Sequence, residues 1–153
     1  MHLPSNILEA WEYTSTDASS TLVLPDGCRD LILIHTPGQA PQWLVTTLAD
    51  AAYRVPGMAG ARYWGYRFQP GAWLHESKLL QAIAQSGVQE IHETLSLVDA
   101  LVQADPLVTE ALHSVAHSAD VPSAARSLGV SERSLQRWLG SKTGRTPGYW
   151  RAL

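Results

Sequence analysis

Residues 120–153 decide the fold of this chain, and their sequence is DVPSAARSLGVSERSLQRWLGSKTGRTPGYWRAL. Asp120 and Pro122 predict the start of a helix, because an aspartate caps free amides and a proline needs no amide partner in the first turn. Gly129 predicts the end of that helix, since glycine readily adopts the left-handed conformation of a tight turn. Val130 follows and is expected to fill the space between this helix and the next.

A second helix is predicted over residues 132–143, with Ser131 as its N-cap. Leu135, Trp138 and Leu139 lie at positions i, i+3 and i+4, so they form a narrow apolar stripe. The opposite face carries three polar side chains, Arg133, Gln136 and Arg137. This helix therefore has one face suited to packing and another suited to a partner.

The polar face carries side chains of the types that can recognise DNA bases. Arginine can make a paired hydrogen bond with the guanine edge and glutamine with the adenine edge in the major groove. Ser131, Ser134 and Lys142 are further DNA-contact candidates on the same helix or at its cap. The cations expected to attract phosphates of any sequence are Arg126, Lys142, Arg145 and Arg151. The predicted partner is therefore double-stranded DNA.

Charge is divided unevenly along the chain. The net charge is −3, which by itself argues against a nucleic-acid partner. Residues 120–153 hold six Lys and Arg against two acids, which gives +4, whereas residues 1–119 hold five against twelve, which gives −7. The basic segment coincides with the predicted helix pair, so the charge pattern favours DNA binding there and a different role for the rest.

Residues 124–139, AARSLGVSERSLQRWL, are followed by Gly144, the pair TP at 146–147 and the triplet YWR at 149–151. This combination resembles the first of the two helix-turn-helix units of AraC-type transcriptional regulators. The signal is fairly specific, because several fixed spacings agree at once. The resemblance implies a bacterial-type transcription regulator.

The same resemblance implies roles for individual residues. Arg133, Gln136 and Arg137 match the positions that face the major groove in that family. Family members carry two such units joined by a long helix, and this chain stops at Leu153, where that helix should be under way. We expect a truncated form of a longer regulator, with a naturally short relative as the alternative. A single unit would contact one major groove only.

Two motifs in the first half support the same family. Residues 24–32, LPDGCRDLI, and residues 65–72, GYRFQPGA, resemble signatures of a β-rich domain that precedes AraC-type helix-turn-helix units. This second resemblance covers roughly residues 22–73 and implies a presumed sensor domain. We expect this domain at 1–103 and an incomplete helix-turn-helix domain at 104–153.

The predicted fold class is α+β, with a small antiparallel sheet or partial barrel followed by the helix-turn-helix domain. Runs rich in β-branched and aromatic residues predict strands at 21–24, 31–34, 43–48, 51–55 and 61–68. The turn sequence PDG at 25–27 predicts a hairpin or a corner between the first two strands. Helical periodicity predicts helices at 77–85, 96–102 and 106–116.

Aromatic residues in the β-rich part are candidates for the walls of a ligand pocket. Trp64, Tyr66 and Phe68 are the expected lining residues, and simple packing in the core of the sheet is the alternative for each. The effector is not identified by the sequence, and a homodimer is a further open partner. A module that senses a ligand or dimerises, and does not bind DNA alone, is the alternative function.

The sequence favours neither catalysis, nor a cofactor, nor a metal site. It has no Gly-x-Ser-x-Gly elbow, no phosphate-binding loop with lysine and no Cys-x-x-Cys pair. His113 and His117 lie four residues apart and could share an ion, but solvated side chains are the simpler interpretation. Cys28 is the single cysteine and is expected to pack in the sheet. No apolar run approaches the roughly 20 residues that span a bilayer, so a cytoplasmic protein is expected.

Overall fold

The computed structural model describes residues 2–153, which form an α+β fold. The strands are β1 (Ile7–Thr14), β2 (Thr21–Val23), β3 (Asp30–His35), β4 (Gln42–Val45), β5 (Tyr53–Val55), β6 (Arg62–Phe68), β7 (Trp73–Leu74) and β8 (Val102–Gln103). The helices are α1 (Glu76–Ser86), α2 (Leu95–Leu101), α3 (Pro106–His117), α4 (Val121–Ser127), α5 (Glu132–Thr143) and α6 (Pro147–Arg151), with a 3-10 turn at Ile91–Thr94. All five predicted strands are present within three residues of their predicted bounds, and β1, β7 and β8 are additional.

The main sheet has four antiparallel strands in the order β1-β6-β3-β4. Strand β2 does not pair with β3, because its partner is β5, in a separate two-stranded sheet. The PDG turn at 25–27 is therefore a corner at which the chain passes from one sheet to the other, and it is not a hairpin. The short strands β7 and β8 pair with each other beside α1 and α2.

Two apolar clusters form the interior. The first lies between one face of the main sheet and the helices α1 and α2, and it contains Leu31, Tyr66, Phe68 and Leu79 among others. The second lies inside the helical segment from α3 to α6. The change from one cluster to the other falls between Val102 and Val108, close to the predicted domain boundary at 103 and 104.

The helical segment is fixed to the β-rich part by polar contacts of its last turns. The Arg145 guanidinium donates to the Asp50 carboxylate at 2.9 Å and to the Leu48 carbonyl at 3.3 Å. The Tyr149 hydroxyl donates to the Ala49 carbonyl at 2.8 Å. The loop between β4 and β5 therefore holds the start of α6, and the two parts of the chain share a defined interface.

Candidate nucleic-acid interface and ligand cavity

Helix α4 begins where the sequence predicts it, because Asp120 is its N-cap. The Asp120 carboxylate accepts a hydrogen bond of 2.8 Å from the Ser123 amide, which satisfies one free donor of the first turn. The hydrogen bonds from Ser123 lower the pKa of this carboxyl below its ordinary value. The cap therefore acts at neutral pH, and it is lost when acid protonates Asp120.

The turn between α4 and α5 closes through the backbone. Gly129 has φ +74°, in the left-handed region that favours glycine, and its amide donates to the Arg126 carbonyl. The amide of Val130 donates to the Ala125 carbonyl, but its side chain is 44% exposed. The expectation that Val130 fills the space between the helices is wrong. Leu128, two residues earlier, packs against the helical core instead.

Helix α5 spans the predicted range and turns its apolar stripe inward. Leu135 and Leu139 are buried, with 2% and 0% exposure, and Trp138 is partly buried against the same core. Ser131 caps the helix by accepting a hydrogen bond from the Ser134 amide at 3.1 Å. The two serine hydroxyls also bond to each other at 2.9 Å, so their first role is to fix the start of the helix.

The outward face of α5 carries the predicted base-reading side chains. Arg133, Gln136 and Arg137 are all exposed. Within residues 2–153, none of the three side chains is held by a hydrogen bond or an ion pair. They therefore lie together on one solvent-facing surface, with their polar groups available to a partner.

Two of the predicted phosphate-binding cations are used inside the chain. Arg145 is bound to Asp50 and also lies 5.4 Å from the centre of the Tyr149 ring. Arg151 donates to backbone carbonyls at and beyond the end of α3, those of Val115, Ser118 and Ala119. These contacts make both arginines structural.

Lys142 and Arg126 remain candidates for phosphate contacts. The Lys142 ammonium is exposed and lies 4.0 Å from the Asp105 carboxylate, which is the outer limit of an ion pair. The Arg126 guanidinium is exposed and donates to the Ser123 hydroxyl at 3.0 Å. Exposed contacts of this kind contribute little to stability, so either side chain can turn toward a phosphate at a small cost in free energy.

A cavity of about 480 Å³ lies between the main sheet and the small β2-β5 sheet. Trp64, Tyr66 and Phe68, the residues predicted to line a pocket, do not line it. Tyr66 and Phe68 are 3% and 0% exposed in the first core, on the other face of the same strand. Side chains alternate along β6, so residues 63 and 67 face the cavity when 64, 66 and 68 face the helices. The predicted pocket residues are corrected accordingly.

One end of the cavity is polar, and its charged side chains are joined by ion pairs and hydrogen bonds. The Arg67 guanidinium lies 2.7 Å from the Glu9 carboxylate, 3.3 Å from that of Asp30 and 3.5 Å from that of Asp26. The Trp11 indole donates to the second Asp30 oxygen at 3.0 Å. Burial raises the pKa of Asp30, and Arg67 opposes that shift. Single-sequence reasoning missed this cluster, because its members come from three strands and a loop.

Cys28 lies in the loop between β2 and β3 and lines the cavity, so the expectation that it packs in the sheet is corrected. Its side chain is half-buried, and its backbone amide donates to Asp26. Burial, followed by the negative charge of Asp26, raises the pKa of the Cys28 thiol from 9.0 to about 12. The thiol is therefore protonated across the neutral range.

This shift predicts slow alkylation of Cys28. Three pKa units lower the thiolate fraction about a thousandfold at pH 8, and the greater nucleophilicity of a basic thiolate recovers roughly 30-fold of that. We expect iodoacetamide to modify the native protein about 30-fold more slowly than the urea-unfolded protein. Whole-protein mass spectrometry measures this directly, because Cys28 is the single cysteine. Equal rates in the two states would contradict the burial of the thiol.

The rings of His113 and His117 stack at 4.1 Å, and within residues 2–153 no group of three or more His, Cys, Asp or Glu could hold a metal ion. None of the helices among the described residues combines the length and apolar character that crossing a bilayer requires. Comparison of the chain with family models, curated proteins and solved structures gives no match.

Proposed function

We propose that this chain is a DNA-binding transcriptional regulator of the AraC type and that α5 reads base edges in the major groove. One observation carries the proposal: Arg133, Gln136 and Arg137 are exposed on a helix whose other face is buried, and their side chains have no hydrogen-bond or ion-pair partner among the residues that the structure describes. Such a regulator acts on DNA in the cytoplasm of a bacterial-type cell. Its partner is double-stranded DNA, and it needs no cofactor.

The dimensions of α5 agree with this role. Its 12 residues make a helix about 18 Å long, and an α-helix with its side chains is about 10 to 12 Å in diameter, which fits a major groove about 12 Å wide. Arg133 and Arg137 are separated by about 6 Å along the helix axis, or about two base-pair steps. One unit therefore reads a short sequence, and each paired contact is worth about 1 to 3 kcal/mol of discrimination.

The test begins with a duplex selected from random sequences by the whole chain at low salt. On that duplex we expect Arg137→Ala to weaken binding about 10- to 100-fold and to relax the preference at one base pair. Lys142→Ala should weaken all duplexes alike and lower the slope of log affinity against log salt by about one. Fluorescence anisotropy of labelled DNA measures both effects.

Arg54→Ala is the matched control, because Arg54 is an exposed arginine on β5 whose guanidinium donates only to the Ser20 hydroxyl among the described residues. This variant should bind DNA like the parent chain. If Arg137→Ala and Lys142→Ala lower affinity equally for every duplex, the reading role of Arg137 is contradicted. If the folded chain binds no duplex even at low salt, the proposal as a whole fails.

The cavity favours a second function, a module that senses a ligand or dimerises and does not bind DNA alone. In that case the polar face of α5 is ordinary solvated surface, and DNA affinity is absent while ligand binding remains. The two functions are separated by measuring DNA and ligand binding independently on the same protein.

A further inference from the structure

We propose that the cavity between the two sheets binds a small lipophilic cation, an ammonium group carried on an aromatic or alicyclic body. The binding step goes beyond the proposed DNA recognition and does not depend on it. Three features of the described residues carry the proposal: the aromatic wall, the surplus of carboxylates around one arginine, and the open apolar mouth.

The wall of the cavity is aromatic on the side of β1 and β6. Tyr13 and Tyr63 face each other with ring centres 6.0 Å apart, and both line the cavity together with Trp11. The Trp11 indole lies directly over Gly65, since a Cβ built on that glycine would be 2.1 Å from the ring. Aromatic faces attract a desolvated cation through their negative quadrupole. This wall therefore suits an organic ammonium ion better than a neutral group.

The charges at the polar end also favour a cation. Arg67 is the only Lys or Arg among the described residues that line the cavity, and its charge is shared by Asp26, Asp30 and the adjacent Glu9. Three carboxylates around one guanidinium leave a surplus of two negative charges when all are ionised. An anionic ligand would meet this surplus, whereas an ammonium group would complete the set of ion pairs.

The mouth of the cavity is open and apolar. Four of the lining side chains are more than a third exposed, namely Tyr13, Leu24, Tyr53 and Val55. A ligand can therefore enter without unfolding the sheets, and its apolar body can cover side chains that water now contacts. A volume of about 480 Å³ is within the usual range of small-molecule sites. The apolar body and the single charge of the proposed ligand match this division into a mouth and a polar end.

A ligand in the cavity would also affect the position of the helical segment. Asp26 and Ala49 line the cavity, and their loops contact α6. The Ala49 carbonyl accepts from the Tyr149 hydroxyl, and a Cβ on Gly27 would lie 2.7 Å from the Trp150 ring. A ligand that moves either loop therefore shifts α6. Any resulting change in DNA affinity rests on the proposed function.

The first experiment compares three probes of similar shape on the whole chain by isothermal titration calorimetry: 4-phenylbutylamine, 4-phenylbutanol and 4-phenylbutyrate. We expect the amine to bind at least tenfold more tightly than the alcohol and the carboxylate to bind most weakly. Equal affinities, or tighter binding of the carboxylate, would overturn the assignment of a cation. DNA is absent from this titration, so its result is independent of the proposed regulatory function.

Variants then locate the site. Asp26→Asn and Asp30→Asn should each reduce the advantage of the amine over the alcohol at least threefold, and Ile32→Trp should abolish binding by filling the cavity. Glu12→Gln is the control, because residue 12 lies on β1 but faces the opposite side of the sheet from Trp11 and Tyr13. It should bind the amine like the parent chain.

The variants are checked by circular dichroism before titration, and Leu44→Phe replaces Ile32→Trp as the filling variant if the latter does not fold. Amine binding that survives in a folded filling variant would overturn the placement in this cavity. An unchanged preference for the amine in both asparagine variants would overturn the role of the carboxylates. A chain that binds the amine but no DNA supports the cavity site and contradicts only the proposed regulator.

Discussion

Replacing Trp150 by alanine is expected to lower the free energy of unfolding by about 3 to 5 kcal/mol. The Trp150 side chain is only 6% exposed, and it belongs to the apolar cluster of the helical segment. Its indole donates to the Thr143 hydroxyl at 3.0 Å, and its ring edge fills the space over Gly27. The substitution therefore opens a hole at the point where the helical segment meets the β-rich part.

Urea denaturation followed by circular dichroism measures this loss. Trp73→Ala is the matched control, because the Trp73 side chain is 53% exposed, and it should change stability by no more than about 0.5 kcal/mol. Trp150→Phe keeps a ring but loses the bond to Thr143, so its cost should be intermediate. If Trp150→Ala were as mild as Trp73→Ala, the packing described for α6 would be contradicted.

The second large effect is expected for Gly65→Ala, which should lower the free energy of unfolding by about 3 kcal/mol. The added Cβ would lie 2.1 Å from the Trp11 ring, far inside van der Waals contact, so the indole must leave its place over β6. Leaving that place also breaks the indole hydrogen bond to Asp30. The substitution is therefore expected to disrupt the aromatic wall of the cavity as well as to destabilise the chain. The affinity for the amine should fall as a result.

A double-mutant cycle with Trp11→Ala identifies the cause. If the clash with the ring is responsible, Gly65→Ala should cost at least 2 kcal/mol less in the Trp11→Ala background. Gly140→Ala is the control of opposite sign, because Gly140 lies in the middle of α5 and an added Cβ there meets nothing within 4 Å. That substitution should stabilise the chain by about 0.5 to 1 kcal/mol. A Gly65→Ala cost that is independent of residue 11 would contradict the close approach.

The helical half could be predicted from the sequence because its signals are local. Asp120, Ser131 and Asp105 act on amides two or three residues away, and each is an N-cap in the structure. Gly129 and Gly144 have the positive φ values that end or turn a helix, and glycine is favoured there by its own backbone freedom. The range of α5 and its buried stripe follow from spacing alone.

The β-rich half was only partly predictable. Strand β1 was missed, because Ile7–Thr14 contains two glutamates and mostly exposed side chains, and its stability comes from pairing with β6, more than 40 residues away. Tyr66 and Phe68 were expected to line a pocket, but they lie on the face of β6 that packs against α1 and α2. The sequence cannot show which face of β6 meets helices and which meets a second sheet.

The α+β class, the helices from α3 to α5 and the side chains on each face of α5 follow from the sequence, since caps, turns and periodicity act within a few residues. The location of the cavity, the contacts that hold Arg145 and Arg151 inside the chain and the exposure of Val130 are visible only in the folded chain. These outcomes depend on contacts between residues that are distant along the chain. The energy of such contacts depends on which surfaces meet, and no local pattern in the sequence specifies that.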